Sequence, residues 1–215
     1  MGGTSRRARS QQERRAHIEQ VALELFRTRG FDHVTVEDVC AEAEVGPATF
    51  YRHFGTKEGV VFAYRDVFTT ALRSAVEAAA VLPEPGRLAA VLGRFAAFLE
   101  SQSELLALRD QIVIDHQRLL QRTLAVQRDI EAQLAEGLAR LRGVPPTDAA
   151  AQLEAGLGVL VLRNAVRSWR AGEADSLPRA VDEALARVRG LVCGGVRQAS
   201  GRSGRSPGDG ARGPH

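Results

Sequence analysis

From Ser10 onward, apolar positions recur at helical spacing with few interruptions. Ile18, Val21, Ala22, Leu25 and Phe26 stand at i, i+3, i+4, i+7 and i+8, the stripe of an amphipathic helix. Ser10 and Glu13 have capping-box spacing at its expected start, and Gly30 marks its end. Thr35 and Asp38 repeat that spacing ahead of Val36, Val39, Cys40 and Ala43, which predicts a short second helix. Gly46 is expected to supply the turn that follows, because glycine takes positive φ at little cost. Pro47 suits the first position of a third helix, where its missing N–H is not needed. At ~100° per residue, Phe50 and Phe54 share one face of that helix, Ala48, Thr49 and Arg52 lie opposite, and Tyr51 and His53 occupy the shoulders.

A further stripe from Val60 to Val76 predicts one continuous lever helix from Lys57 to about Ala80, broken by Pro83, Pro85 and Gly86. Helices are then expected over 86–101, 104–114, 115–142, 147–171 and 177–196. In the long 115–142 helix the predicted stripe runs through Leu120, Leu124, Gln127, Ile130, Leu134, Leu138 and Leu141. No stretch shows strand alternation that competes with this pattern. The expected fold is all-α with about nine helices: a three-helix head at 10–56 on a helical regulatory and dimerisation bundle at 57–198. A disordered basic arm is expected at 1–9 and a disordered tail at 199–215.

Two short helices joined by a tight turn, with a polar outer face on the second, form a helix-turn-helix, which sets one helix in the major groove of DNA. On that reading Arg52 pairs two donors with a guanine edge. Thr49 contacts a thymine methyl or a base acceptor, and Ala48 permits close approach. Tyr51 and His53 reach the phosphates on either flank. Arg6, Arg7 and Arg9 form a candidate arm for phosphate or minor groove. Arg14 and Arg15, placed in the first turns of the first helix, oppose its dipole, which is compatible with a nearby phosphate.

Composition alters this picture little. The 215 residues carry a net charge of +3, and Lys57 is the sole lysine. Cys40 and Cys193 both fall in apolar helical patterns and read as buried thiols. There is no apolar leader, and the longest apolar run, Ala155 to Leu162, is far shorter than the ~20 residues of a membrane span. A soluble cytoplasmic protein is expected, with no membrane and no cofactor. The histidines His17, His33, His53, His116 and His215 have no metal-site spacing, and no nucleophile elbow, phosphate loop or dinucleotide fingerprint occurs. The chain is not expected to be an enzyme.

The run TVEDVCAEAEVGPATFYRHFGTKEGV resembles the DNA-binding region of the TetR family of bacterial repressors, whose motif runs Thr-Val-x-x-Ile-Ala, then Gly-Val-Ser-x-x-Thr-Leu-Tyr-x-His-Phe-x-x-Lys. Thr35, Val36, Val45, Thr49, Tyr51, His53, Phe54 and Lys57 match it. Glu44 stands where a glycine is usual, Gly46 where serine is common, Cys40 for a small residue and Phe50 for leucine. The resemblance covers about the first third of the chain. It implies phosphate contacts by Thr35, Tyr51, His53 and Lys57, and base contacts by Pro47, Ala48, Thr49 and Arg52, with Val36 and Glu37 near the groove edge. It also implies a repressor that binds a palindromic double-stranded DNA operator and is released by a ligand that changes the spacing of two reading heads. The C-terminal part is similar to family members proposed to sense acyl-CoA-like ligands. Two other readings of the chain are a helical protein-interaction module and a DNA-binding protein without an inducer.

The helices at 147–171 and 177–196 are rich in apolar residues, notably Leu157, Leu160, Val161, Leu162, Leu185, Val188, Leu191 and Val192. A homodimer burying both in a four-helix bundle accounts for them, and sets two reading helices ~34–36 Å apart, one turn of the duplex. The middle helices are expected to enclose a small-molecule pocket. Its candidate residues are Phe95, Leu99, Arg109, Ile112, His116, Leu120, Asn164 and Trp169.

Overall fold

The computed structural model describes residues 3–84, 86–114 and 116–200, with side chains between residues 9 and 191. The described residues form ten α-helices and one 3-10 turn, without a strand. The helices are α1 (Gly3–Arg29), α2 (Val36–Glu42), α3 (Pro47–Phe54), α4 (Lys57–Val61), α5 (Tyr64–Ala79), α6 (Arg87–Ser101), α7 (Ser103–Ile114), α8 (Gln117–Arg142), α9 (Ala149–Arg170) and α10 (Leu177–Ser200). The 3-10 turn, Phe31–His33, lies between α1 and α2. Counting α4 and α5 as one bent element returns the expected nine.

Local chemistry sets the head. Asp38 N–H donates to Thr35 Oγ1 at 3.1 Å and Thr35 N–H donates to Asp38 Oδ2 at 2.8 Å, a complete capping box. Pro47 opens α3, with Gly46 as its N-cap. Ile18, Ala22, Leu23, Val34, Val39, Phe50 and Val60 are at most 1% exposed and form the head's core. That core does not stop at residue 56: Val61 and Phe62 belong to it, as do Ile112 and Val113 of α7 and Leu119 and Val126 of α8. The second core lies among α5, α6, α8, α9 and α10, around Leu72, Val91, Leu92, Phe95, Leu134 and Val181.

Four expectations need correction. First, α1 begins at Gly3, so residues 3–9 have helical backbone and Ser10 caps nothing. Arg14 and Arg15 therefore sit well inside α1, clear of its dipole end. Secondly, Gly46 is extended at φ −77°, and the turn's positive φ falls on Glu44 at φ 53°. A left-handed non-glycine residue costs about 1–2 kcal/mol, which the surrounding head must offset. Thirdly, the lever is not continuous, because α4 ends at Val61 and α5 starts at Tyr64. Fourthly, α8 turns Leu119 and Val126 inward and leaves Leu120 and Leu124 exposed. The Arg6, Arg7 and Cys193 side chains, Pro85, Asp115 and residues 201–215 lie outside the described residues.

Candidate nucleic-acid interface and ligand cavity

Helix α3 separates its faces as its spacing demands. Phe50 is fully buried and edge-on to Tyr51, with ring centroids 5.7 Å apart. Pro47, Ala48, Tyr51 and Arg52 are exposed, Tyr51 by 48%, while Thr49 and His53 are half-buried. Val36 is half-buried and Glu37 exposed at the start of α2. A convex strip of small and hydrogen-bonding side chains thus stands clear of the head with an aromatic anchor behind it. Such a strip can enter a major groove and read base edges. His53 Nε2 is buried without a partner, and burial, with the Arg52, Arg15 and Arg14 charges, pushes the imidazole's pKa down.

Thr35 and Lys57, expected at phosphates, have partners inside the head. The Thr35 hydroxyl and backbone N–H both donate to Asp38. Those bonds hold the Asp38 carboxyl below its ordinary pKa. Lys57 Nζ donates to the carbonyls of Phe31 at 2.7 Å and Val34 at 2.9 Å, and lies 4.3 Å from the Phe31 ring centroid. It fastens the 3-10 turn to α4 with two of its three donors. Lys57→Met is expected to lower head stability by about 1–3 kcal/mol, seen in the urea midpoint, and to leave the salt slope of DNA binding unchanged. A slope reduced by ~1 with an unmoved midpoint would instead make Lys57 a phosphate contact.

The break between α4 and α5 is held from a distance. Arg15 Nη2 donates to the Ala63 carbonyl at 3.0 Å and lies 3.4 Å from Asp66 Oδ2, and its guanidinium stands 5.9 Å from the Phe54 ring centroid. One side chain of α1 thus touches the end of the reading helix and the start of α5.

Beyond the break, α5 to α9 surround a cavity of about 270 Å³, near the small end of ligand sites, ~300–1,000 Å³. Its walls include Tyr64, Phe68, Phe95, Leu99, Ile130 and Leu162, and its polar lining comes from Asp110, Thr123, Gln127, Arg163 and Arg170. Burial, with the Asp110 charge, pushes the Tyr64 phenol up to about 12, so it stays a neutral donor. Of the residues expected here, Phe95 and Leu99 are on the wall. Ile112 lies in the head's core. His116 packs 5.2 Å from the Phe31 ring centroid, with Nδ1 3.5 Å from Asp32. Leu120 is 43% exposed and Asn164 is exposed, while Trp169 packs against the second core. The expectation missed Tyr64, Arg163 and Arg170, although i, i+7 spacing puts the two arginines on one face of α9.

Arg109 also faces away from the cavity. It is 3% exposed, pairs with Glu19 of α1, and stands 4.9 Å from the Tyr64 ring centroid. Burial lowers its pKa to about 10, against the pull of Asp110, so it remains a cation at neutral pH. Among the described residues no group of His, Cys, Asp and Glu converges as a metal site, and no helix is long and apolar enough to cross a membrane.

Residues 18–64 match the family model described as bacterial regulatory proteins, tetR family. The chain is 32% identical over 155 residues, 68% of each protein, to the HTH-type transcriptional regulator TcmR of Streptomyces glaucescens. Its fold is similar to that of a transcriptional regulator of the TerR/AcrR family from Aquifex aeolicus VF5, with a TM-score of 0.55 at 15% identity over 83% of this chain and 99% of that one. It is also similar to SmeT, the repressor of the Stenotrophomonas maltophilia multidrug efflux pump SmeDEF, with a TM-score of 0.52 at 22% identity over 80% and 89% of the two chains.

Proposed function

The chain belongs to the TetR family of bacterial transcriptional regulators, and from that premise we propose that it is a repressor that binds a palindromic operator as a homodimer and is released by a small amphipathic ligand. The observation that carries the DNA reading is the split of α3, with Phe50 sealed in the core and Pro47, Ala48, Tyr51 and Arg52 outside. For the homodimer, support comes from α9 and α10. Leu153 and Leu160 of α9 are 76% and 49% exposed, and Leu157, Leu185 and Val188, with Leu88 and Ala89 of α6, line an open groove of about 330 Å³. A second copy covering that face removes apolar surface from water. The family's ligand dependence and the aromatic-walled cavity support release by a small molecule, which must bind the non-DNA-binding spacing more tightly to move the equilibrium.

Selection of genomic fragments by the purified protein tests this reading, since the operator, its symmetry and its neighbouring genes emerge together. On the selected operator, Arg52→Ala is expected to relax specificity at one base pair by about 1–3 kcal/mol. Tyr51→Phe should weaken all sequences alike. Equal binding of every sequence by Arg52→Ala and the parent would remove the groove-facing assignment. DNA binding that ignores salt would favour the protein-interaction reading, because phosphate contacts release counterions.

A further inference from the structure

The charges lining the cavity are unequal, two arginines against one carboxylate. Asp110 is the single carboxylate in the described lining, and Arg170 already pairs with it at 2.6 Å. Arg163 is exposed at the rim and has no ion pair among the described residues. The other polar lining groups, Thr123, Gln127 and the neutral Tyr64 phenol, bear no charge. The same lining carries aromatic rings: Phe68 stands edge-on to Tyr64 at 4.7 Å and to Phe95 at 5.9 Å. Rings in that arrangement present faces and edges to a flat apolar body. A guanidinium without a partner at the rim of an apolar cavity is a site for an acid group, because its fork matches an oxyanion.

We propose that the cavity takes a compact amphipathic anion, with its apolar body between Tyr64, Phe68 and Phe95 and its acid group on Arg163, with Arg170 beside it. This rests on the ligand-released regulator reading and deepens it by giving the ligand's charge. Arg163 meets the acid, while Asp110, neutralised by Arg170, imposes little repulsion. A cationic ligand would face two arginines and gain one carboxylate that is already paired.

The test is isothermal titration of the full-length protein at neutral pH with 2-naphthoate, 2-naphthylmethanol and 2-naphthylmethylamine. The acid is expected to bind about tenfold or more tighter than the alcohol, the increment of a charge-assisted hydrogen bond, with the amine weakest. Arg163→Met should bring the acid's affinity down to the alcohol's; the position is exposed, so the fold is not at stake. The proposal is overturned if the alcohol or amine matches the acid, if Arg163→Met keeps the preference, or if none of the three binds. Retention of operator DNA, measured separately with 2-naphthoate present, tests the other reading. An Arg163-dependent preference without DNA release would leave the ligand class standing and remove the inducer role.

Discussion

Gly59→Ala is expected to dismantle the DNA-reading head. Gly59 lies in the first turn of α4, where its N–H donates to the Thr56 cap at 3.0 Å. A Cβ there would collide with the carbonyl oxygen of Phe54 and come within 3.0 Å of its carbon. Both atoms are backbone, and the same oxygen already accepts from Thr56 N–H at 2.8 Å, so no side-chain rotation relieves the clash. α4 must move off the end of α3, drawing Val60 and Val61, both 0% exposed, out of the head's core. The expected cost is at least about 3 kcal/mol, at the upper end of overpacking. Operator affinity should fall with it, and limited proteolysis should cut first near residue 56. The control is Gly93→Ala in α6, where an added Cβ meets nothing within 4 Å. The same substitution should there be neutral to stabilising by up to about 1 kcal/mol. Equal urea midpoints for the two variants would refute the close-approach argument.

What could be read from the sequence divides by the range of the forces involved. The capping box, Pro47 at the start of α3 and the Phe50 face all arise from residues within a turn or two of one another, and the structure forms each of them. The positive φ at Glu44 is hidden by Gly46 two residues on, a glycine free to take it; the one pointer to Glu44 is that it stands where the resembled motif has a glycine. The break at Phe62 and Ala63 carries no proline or glycine, and Val60 to Ala63 are all buried, so periodicity runs through it unbroken. What accommodates it is Arg15, forty-eight residues earlier in the chain, at the Ala63 carbonyl. The cavity was least legible. Its walls come from five helices, and whether Leu120 or Thr123 and Gln127 of α8 face it depends on neighbours that one helix's pattern does not contain.

The other large effect concerns α7, where adjacent residues face opposite ways. Asp110 lines the cavity, while Arg109 crosses the Tyr64 ring to Glu19 on α1. Both side chains of that ion pair are shielded, with 4% of Arg109 and 15% of Glu19 accessible. Removing one partner leaves the other with reduced solvation and no counter-charge, so Arg109→Met and Glu19→Gln are each expected to cost about 3–5 kcal/mol in urea unfolding. Replacing both, as Glu19→Leu with Arg109→Met, should restore most of that loss, because apolar groups of similar volume substitute well for a buried pair. The double variant then separates stability from communication. Its head should still bind operator, yet the link from α7 to α1 would have lost its charge pairing. If a cavity ligand moves the head through Arg109, ligand and DNA should bind the double variant with little mutual effect, whereas the parent is expected to couple them by about 1–3 kcal/mol. Full coupling in the double variant would assign the transmission to α5 and its break alone.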